Sequence, residues 1–359
     1  MKGLGKKLAL AAVSLLVSLG IAEGVYRWSQ QKDESTPDGG DDGWRQRYRR
    51  LNETLYMRSE DPALIYEPRP GAEVEMEYGP ARFNGAGMRE DHEVQREPGE
   101  DTRVAVVGDS LVWSEFLPAE DALPQQLDAA LGEGWEALNF GVTGYDTAQE
   151  AAWYAKAVRP FAPEVVVVVW CMNDMMIMSG PFERWCDEEE RARKTAQEQL
   201  VERVAPFRRE TLDGVLAREE EEASFKLWAR LSGMVRRARF EDAYVDEYLV
   251  MAEQPERVRR TEAAIARLGA AIRADGATPV FVISPVLEQW ERYRWEAIHD
   301  VVREAAEGAG FAVLDPLERW RGEEDPEELR ISGDNLHYDR SGNRVFAETL
   351  AGFLRDLDH

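Results

Sequence analysis

The sequence predicts an α/β fold: a three-layer αβα sandwich on a five-stranded parallel sheet, with a helical insertion. Three observations predict it. From Arg103 onward, short β-rich runs alternate with helical patterns, the signature of a doubly wound sheet. Val165 to Val169 is an unbroken run of valines, the composition of a central strand covered by helices on both faces. The chain has 359 residues, 44% of them hydrophobic, enough to bury a core of this size.

Strands are predicted over residues 103–107, 136–140, 164–170, 278–284 and 311–314, and helices over 120–131, 147–158, 256–274, 291–308 and 341–357. Five strands with crossover helices give a flavodoxin-like order. Between the third and fourth strands lies an insertion at about 180–250. It is far longer than a loop, so it must hold structure of its own. Its text is charged, with Trp185, Phe207, Phe225, Trp228, Leu231 and Met234 at helical intervals and Pro181 and Pro206 as breaks. Because it leaves the C-terminal end of the third strand, where open α/β sheets place ligands, it reads as a lid or substrate-shaping cap, with a surface elaboration as the alternative.

Ahead of this domain, assigned to 101–359, the chain divides into three stretches. Residues 1–28 begin with lysines at 2, 6 and 7 and continue in the apolar run LALAAVSLLVSLGIA, which predicts export as a membrane anchor, or as a cleaved signal if cut near Gly20 or Ala22. The lysines place the N-terminus in the cytoplasm and the folded body outside it. Residues 29–46 are polar, acidic and Gly-rich, a flexible linker. Residues 47–100 form an N-terminal extension packed on the main domain, with a small hairpin expected at 72–78.

Composition excludes several functions. With 69 acidic against 44 basic residues and a formal charge of -25, the chain would repel nucleic acid. The acidic runs at 188–190 and 219–222 read as solvated helix faces. Two cysteines, Cys171 and Cys186, give neither a disulfide framework nor zinc-ligand spacing, and the histidines at 92, 299, 337 and 359 form no metal-binding pattern. No metal and no cofactor are expected, since the first turn also lacks GxxxxGK[ST] or GxGxxG. His92 and His299 are assigned to the surface, and His359 to a terminal tail.

The first strand ends in Gly108-Asp109-Ser110. Asp and Ser both favour helix caps, so this is a turn by default. A serine there becomes a nucleophile only if a base takes its proton and a third group orients the base. Near the C-terminus, Asp334-Asn-Leu-His337 offers both, on a loop that opens at the same sheet edge. Acyl transfer also needs donors for the developing oxyanion. The Ser110 backbone N–H, the Gly144 N–H in VTGYDT and the Asn173 amide in CMND are the candidates.

Taken together, Gly108-Asp109-Ser110-Leu111, Gly144, Asn173 and Asp334-Asn-Leu-His337 resemble the four ordered blocks of the SGNH or GDSL hydrolases, over about 103–357. That resemblance implies a serine esterase with Ser110 as nucleophile, His337 as base, Asp334 as its partner, and Ser110, Gly144 and Asn173 as the oxyanion hole. It implies an ester substrate, such as an acylated glycan or lipid. An O-acyltransferase using the same triad and a non-catalytic binding module remain alternatives. The segment 84–89, NGAGMR, is similar to the Asn-x-x-Gly-x-Arg turn that precedes the domain in many bacterial members, where its role is structural. One departure is Cys171, at a position that is often glycine in the family. It reads as a buried thiol, with a Cys171–Cys186 disulfide as the sharper alternative in an exported protein.

Overall fold

The computed structural model describes residues 52–76, 78–176, 182, 185–204, 252–288, 290–331 and 334–357. The expected anchor, the linker and most of the insertion lie outside these residues. Among the described residues no helix is long and apolar enough to cross a membrane.

The extension carries two antiparallel hairpins. β1 (Tyr56–Arg58) pairs with β2 (Tyr66–Pro68), and β3 (Glu73–Met76) with β4 (Gly79–Arg82), the second being the hairpin expected at 72–78. Buried Tyr56, Tyr66 and Phe83 form its aromatic centre, with Tyr56 edge-on to both of the others. Two tyrosines tie it to the main domain: Tyr66 donates its hydroxyl to the Thr143 carbonyl at 2.7 Å, and Tyr145 donates to the Tyr66 carbonyl at 2.5 Å.

The main domain then runs β5 (Thr102–Gly108), α1 (Ser110–Trp113), α2 (Leu123–Leu131), β6 (Trp135–Asn139), α3 (Thr147–Trp153), β7 (Val165–Trp170), α4 (Glu188–Val204), α5 (Pro255–Ala274), β8 (Thr278–Ile283), α6 (Glu296–Gly308), β9 (Ala312–Leu314), α7 (Leu317–Glu323), α8 (Pro326–Leu329) and α9 (Arg340–Leu357). The sheet order is β6-β5-β7-β8-β9, parallel throughout. Every residue of β7 is buried, as its valine run demands. α2 packs on α9, and α5 on α3 and α6. Right-handed crossovers from this strand order put those two groups on opposite faces of the sheet, which completes the three layers.

All five predicted strands form within one or two residues of their expected ends. The helices are cut more finely. Pro124 sits in the first turn of α2, where its missing N–H costs nothing, and separates the helix from the short turn Ala119–Asp121. His299, expected at the surface, is buried at 1% exposure on the inner face of α6 with Ile298, Val302 and Ala306. Cys171 and Cys186 are both buried and both free thiols, so the disulfide alternative is not formed.

Candidate active site

The chain leaves β5 towards β6 on one side, while β7 lies on its other side, so the C-terminal end of β5 is a topological switch point. Asp109 and Ser110 stand there. Asp109 does cap α1: its Oδ1 accepts from the Leu111 N–H at 2.9 Å. That leaves the Ser110 hydroxyl to the site. Its Oγ lies 2.8 Å from Nε2 of His337.

His337 is oriented by its own turn. The Asp334 Oδ1 accepts from the backbone N–H groups of Leu336 and His337, at 2.8 and 2.9 Å, which folds the four residues back on themselves. Asp334 Oδ2 then meets His337 Nδ1 at 2.7 Å. With the Nδ1 proton donated to the carboxylate, Nε2 carries the lone pair that faces Ser110. Burial alone would lower the imidazole pKa, but the hydrogen bond and charge of Asp334 outweigh it and raise the pKa above the ordinary value. Burial likewise opposes ionisation of Asp334, and the hydrogen bond and charge of His337 with the two backbone donors overcome it, holding the carboxyl at about 2. Phe116 packs at right angles to the imidazole, ring centres 5.0 Å apart.

Asn173 reaches the same place from the turn Met172–Met175 after β7. Its Nδ2 donates to Asp109 Oδ2 at 2.7 Å, and Oδ1 accepts the Cys171 thiol. Asp109 Oδ2 is also 3.4 Å from Ser110 Oγ, so the cap residue links the serine to the asparagine. A link of this kind was not visible in the order of residues, although the Gly-Asp-Ser block did contain its centre. Gly144 closes a turn in which the Tyr145 N–H donates to Val142 at 3.1 Å, and its φ of 75° is the left-handed value this turn position requires. Gly141, which the sequence analysis did not single out, is where the two loops touch: a Cβ there would lie 2.3 Å from the Trp113 backbone nitrogen. Ser110, His337 and Asp334 are thus in direct sequence, Asn173 joins them through Asp109, and Gly144 stands on the adjoining loop.

Glu150, on α3, is fully buried, and neither carboxyl oxygen has a hydrogen-bond partner among the described residues. Burial, reinforced by the charges of Asp174, Asp109 and Asp146, pushes its pKa well up.

The segment 84–89 braces the serine turn. Asn84 Oδ1 accepts from the N–H groups of Ala86 and Met88, both at 3.0 Å, a side-chain-closed turn that delivers Arg89 into the core. The Arg89 guanidinium donates to the carbonyls of Trp113, Ser114 and Leu117 and lies 4.4 Å from the centre of the Trp113 ring. Its role is structural, as the resemblance implied. Arg89→Met should cost about 3 kcal/mol or more, because it withdraws a buried cation and the donors it gives to three carbonyls of the serine turn. Urea denaturation checks this, and a loss under about 1 kcal/mol would show that water satisfies them.

The extent of a sequence match decides the family: the profile of the GDSL-like lipase/acylhydrolase family covers residues 106–345. The chain belongs to that family. This GDSL-like acylhydrolase is an ester hydrolase, and its matched region spans Ser110, Gly144, Asn173, Asp334 and His337. Among solved structures, an α/β hydrolase enzyme from the metagenome of Lake Arreo, Spain, is 16% identical with a TM-score of 0.41, covering 70% of this chain and 94% of its own. An acetylxylan esterase from Geobacillus stearothermophilus is 14% identical with a TM-score of 0.41, covering 73% of the GDSL-like chain and 96% of its own. No curated protein matches the sequence.

Proposed function

We propose that this GDSL-like hydrolase cleaves short-acyl esters, with carbohydrate O-acetyl groups as the substrate class, through an acyl intermediate on Ser110. The observation that carries the reading is the Ser110 Oγ to His337 Nε2 distance of 2.8 Å with Nδ1 held by Asp334. His337 takes the hydroxyl proton as Oγ bonds to the acyl carbon, then returns it to the departing alcohol. Water attacks the acyl-serine, again giving a proton to His337, which passes it to Ser110 as the acid leaves. Negative charge on the carbonyl oxygen is met by the N–H of Ser110, the N–H of Gly144 and the Asn173 amide. One amide N–H is spent on Asp109, and this fixes the plane in which the second must lie.

The narrow space beside the serine supports a small acyl group. A narrow crevice is lined by Ser110, Leu111, Phe116, Ile331, His337 and Tyr338. It suits a two- or three-carbon acyl group better than a fatty chain. The charged and apolar order of residues 1–28 supports action outside the cytoplasm, from a membrane anchor.

Quenching the enzyme during turnover of p-nitrophenyl acetate should leave one acetyl group on the peptide containing Ser110, readable by intact and peptide mass. Acetyl on another residue, or turnover with no acyl-enzyme under any quench, would reject the reading. The same assay run from acetyl to octanoyl esters should show the rate falling with chain length.

A further inference from the structure

Buried beside the site is a second hydrogen-bonded series of carboxylate, imidazole and hydroxyl, to which the chemistry above gives no role. Asp315 Oδ2 accepts from His299 Nδ1 at 2.8 Å, and His299 Nε2 meets the Tyr293 hydroxyl at 2.8 Å. These residues are enclosed, with His299 at 1% and Tyr293 at 8% exposure. No substrate reaches them, so they are not a second reactive centre.

The Tyr293 oxygen joins the series to the backbone: it accepts from the Val286 N–H at 2.9 Å. The imidazole thus spans the phenol and the carboxylate, one ring nitrogen to each. Arg303 donates to Asp315 Oδ2 at 2.6 Å and the Leu317 N–H to Oδ1 at 3.1 Å, so the carboxylate is held from two further directions.

What this series holds is the loop after β8. Val286 is fixed on both sides, its N–H by Tyr293 and its carbonyl by the Trp290 indole N–H at 2.9 Å. The next residue, Leu287, donates its N–H to the Asn335 carbonyl at 2.7 Å, and Asn335 returns its side-chain amide to Glu288 at 3.3 Å. On the other side of His337, the Tyr338 hydroxyl lies 2.9 Å from Ser284 Oγ. The loop 284–288 therefore grips the chain two residues before and one residue after the imidazole that faces Ser110. Asn335 adjoins Asp334, so the grip also sets the carboxylate.

We propose that Tyr293 and His299 are positioning residues for the His337 base, transmitting the fixed geometry of Asp315 through Val286 and Leu287 to the Asp334–His337 turn. This rests on the catalytic reading of Ser110 and His337. A hydrogen-bonded support of this kind matters because displacement of the base by a fraction of an ångström lengthens the contact to the serine that proton transfer must cross.

The test compares Tyr293→Phe with Tyr154→Phe in the full chain. Each deletes one phenol hydroxyl, the latter from a contact to Asp275 at 3.0 Å away from the site. Tyr293→Phe should lower kcat on p-nitrophenyl acetate about tenfold with KM changed less than about twofold. It should also move the ring-proton NMR titration of His337 downward, because the Asp334 contact that raises it is loosened. Tyr154→Phe should leave both readouts as in the wild-type protein. At His299, Gln can donate and accept as the imidazole does, so His299→Gln should recover part of the kcat lost in His299→Leu. If His299→Leu fails to fold, the isosteric Tyr293→Phe decides. A Tyr293→Phe enzyme with wild-type kcat and an unmoved His337 titration would overturn the proposal. The titration needs no turnover, so a Ser110→Ala variant that stayed active would reject the catalytic reading without bearing on whether Tyr293 positions the imidazole.

Discussion

Ser110→Ala is expected to lower kcat/KM for p-nitrophenyl acetate by about four orders of magnitude or more, leaving only what the oxyanion donors and binding supply. The size follows from the chemistry: His337 stays in place, but no oxygen remains to receive the acyl group. The fold should hardly notice. Among the described residues the lost hydroxyl bonds only to His337 at 2.8 Å and, distantly, Asp109 at 3.4 Å, while the Asp109 cap on the Leu111 N–H is kept. Stability should therefore change by less than about 1 kcal/mol, which separates loss of chemistry from loss of structure. Thermal unfolding and steady-state rates on the same sample check both. Residual activity within about a hundredfold of wild type would assign the acyl group to another nucleophile.

The serine and its base were legible because both depend on local text. A strand ending in Gly-Asp-Ser and a turn closed by Asp334 each have a form that hydrogen bonds within four residues dictate. The sheet was legible for a similar reason: β5, β7 and β8 are apolar runs too short for buried helices and bounded by turn residues. What depended on distant partners was not. His299 lies on the stripe of α6 with Val302 and Ala306, yet that spacing alone cannot tell a histidine awaiting Tyr293 and Asp315 from one facing water. The link from Asp109 to Asn173 joins residues 64 positions apart, and only the strand order brings them together. β1 and β2, three residues each, have too little text for an alternation, and α8 was overlooked although Asp325 before Pro326 is a readable helix start.

Asp334→Asn should have the second-largest effect, a fall in kcat of about three to four orders of magnitude. An asparagine could still accept the Leu336 and His337 N–H groups, so the turn survives. What it cannot do is hold the proton on Nδ1 while stabilising the imidazolium that forms as Ser110 attacks the acyl carbon and gives up its proton. The pH dependence gives the sharper test. His337 works as a base only when neutral, and its raised pKa puts the acid limb of the wild-type rate profile above the ordinary imidazole value of about 6.5. Removing the carboxylate removes the main cause of that rise, so in the variant the limb moves to lower pH and reaches a lower plateau. Stability should follow the same linkage. Because the folded pKa of His337 is raised, its contribution is complete below about 6.5 and fades as pH rises through the folded value. Because Asp334 is held at about 2, its contribution is complete above the ordinary carboxylate value and fades as pH falls towards 2. The pair therefore stabilises the fold most between about pH 4 and 6.5, and Asp334→Asn should lose stability chiefly in that window. Since Asp334 is 31% exposed and His337 18%, the stability change should be modest beside the kinetic one. An Asp334→Asn enzyme with an unmoved acid limb would mean that the carboxylate neither orients nor charges the base, whatever its distance.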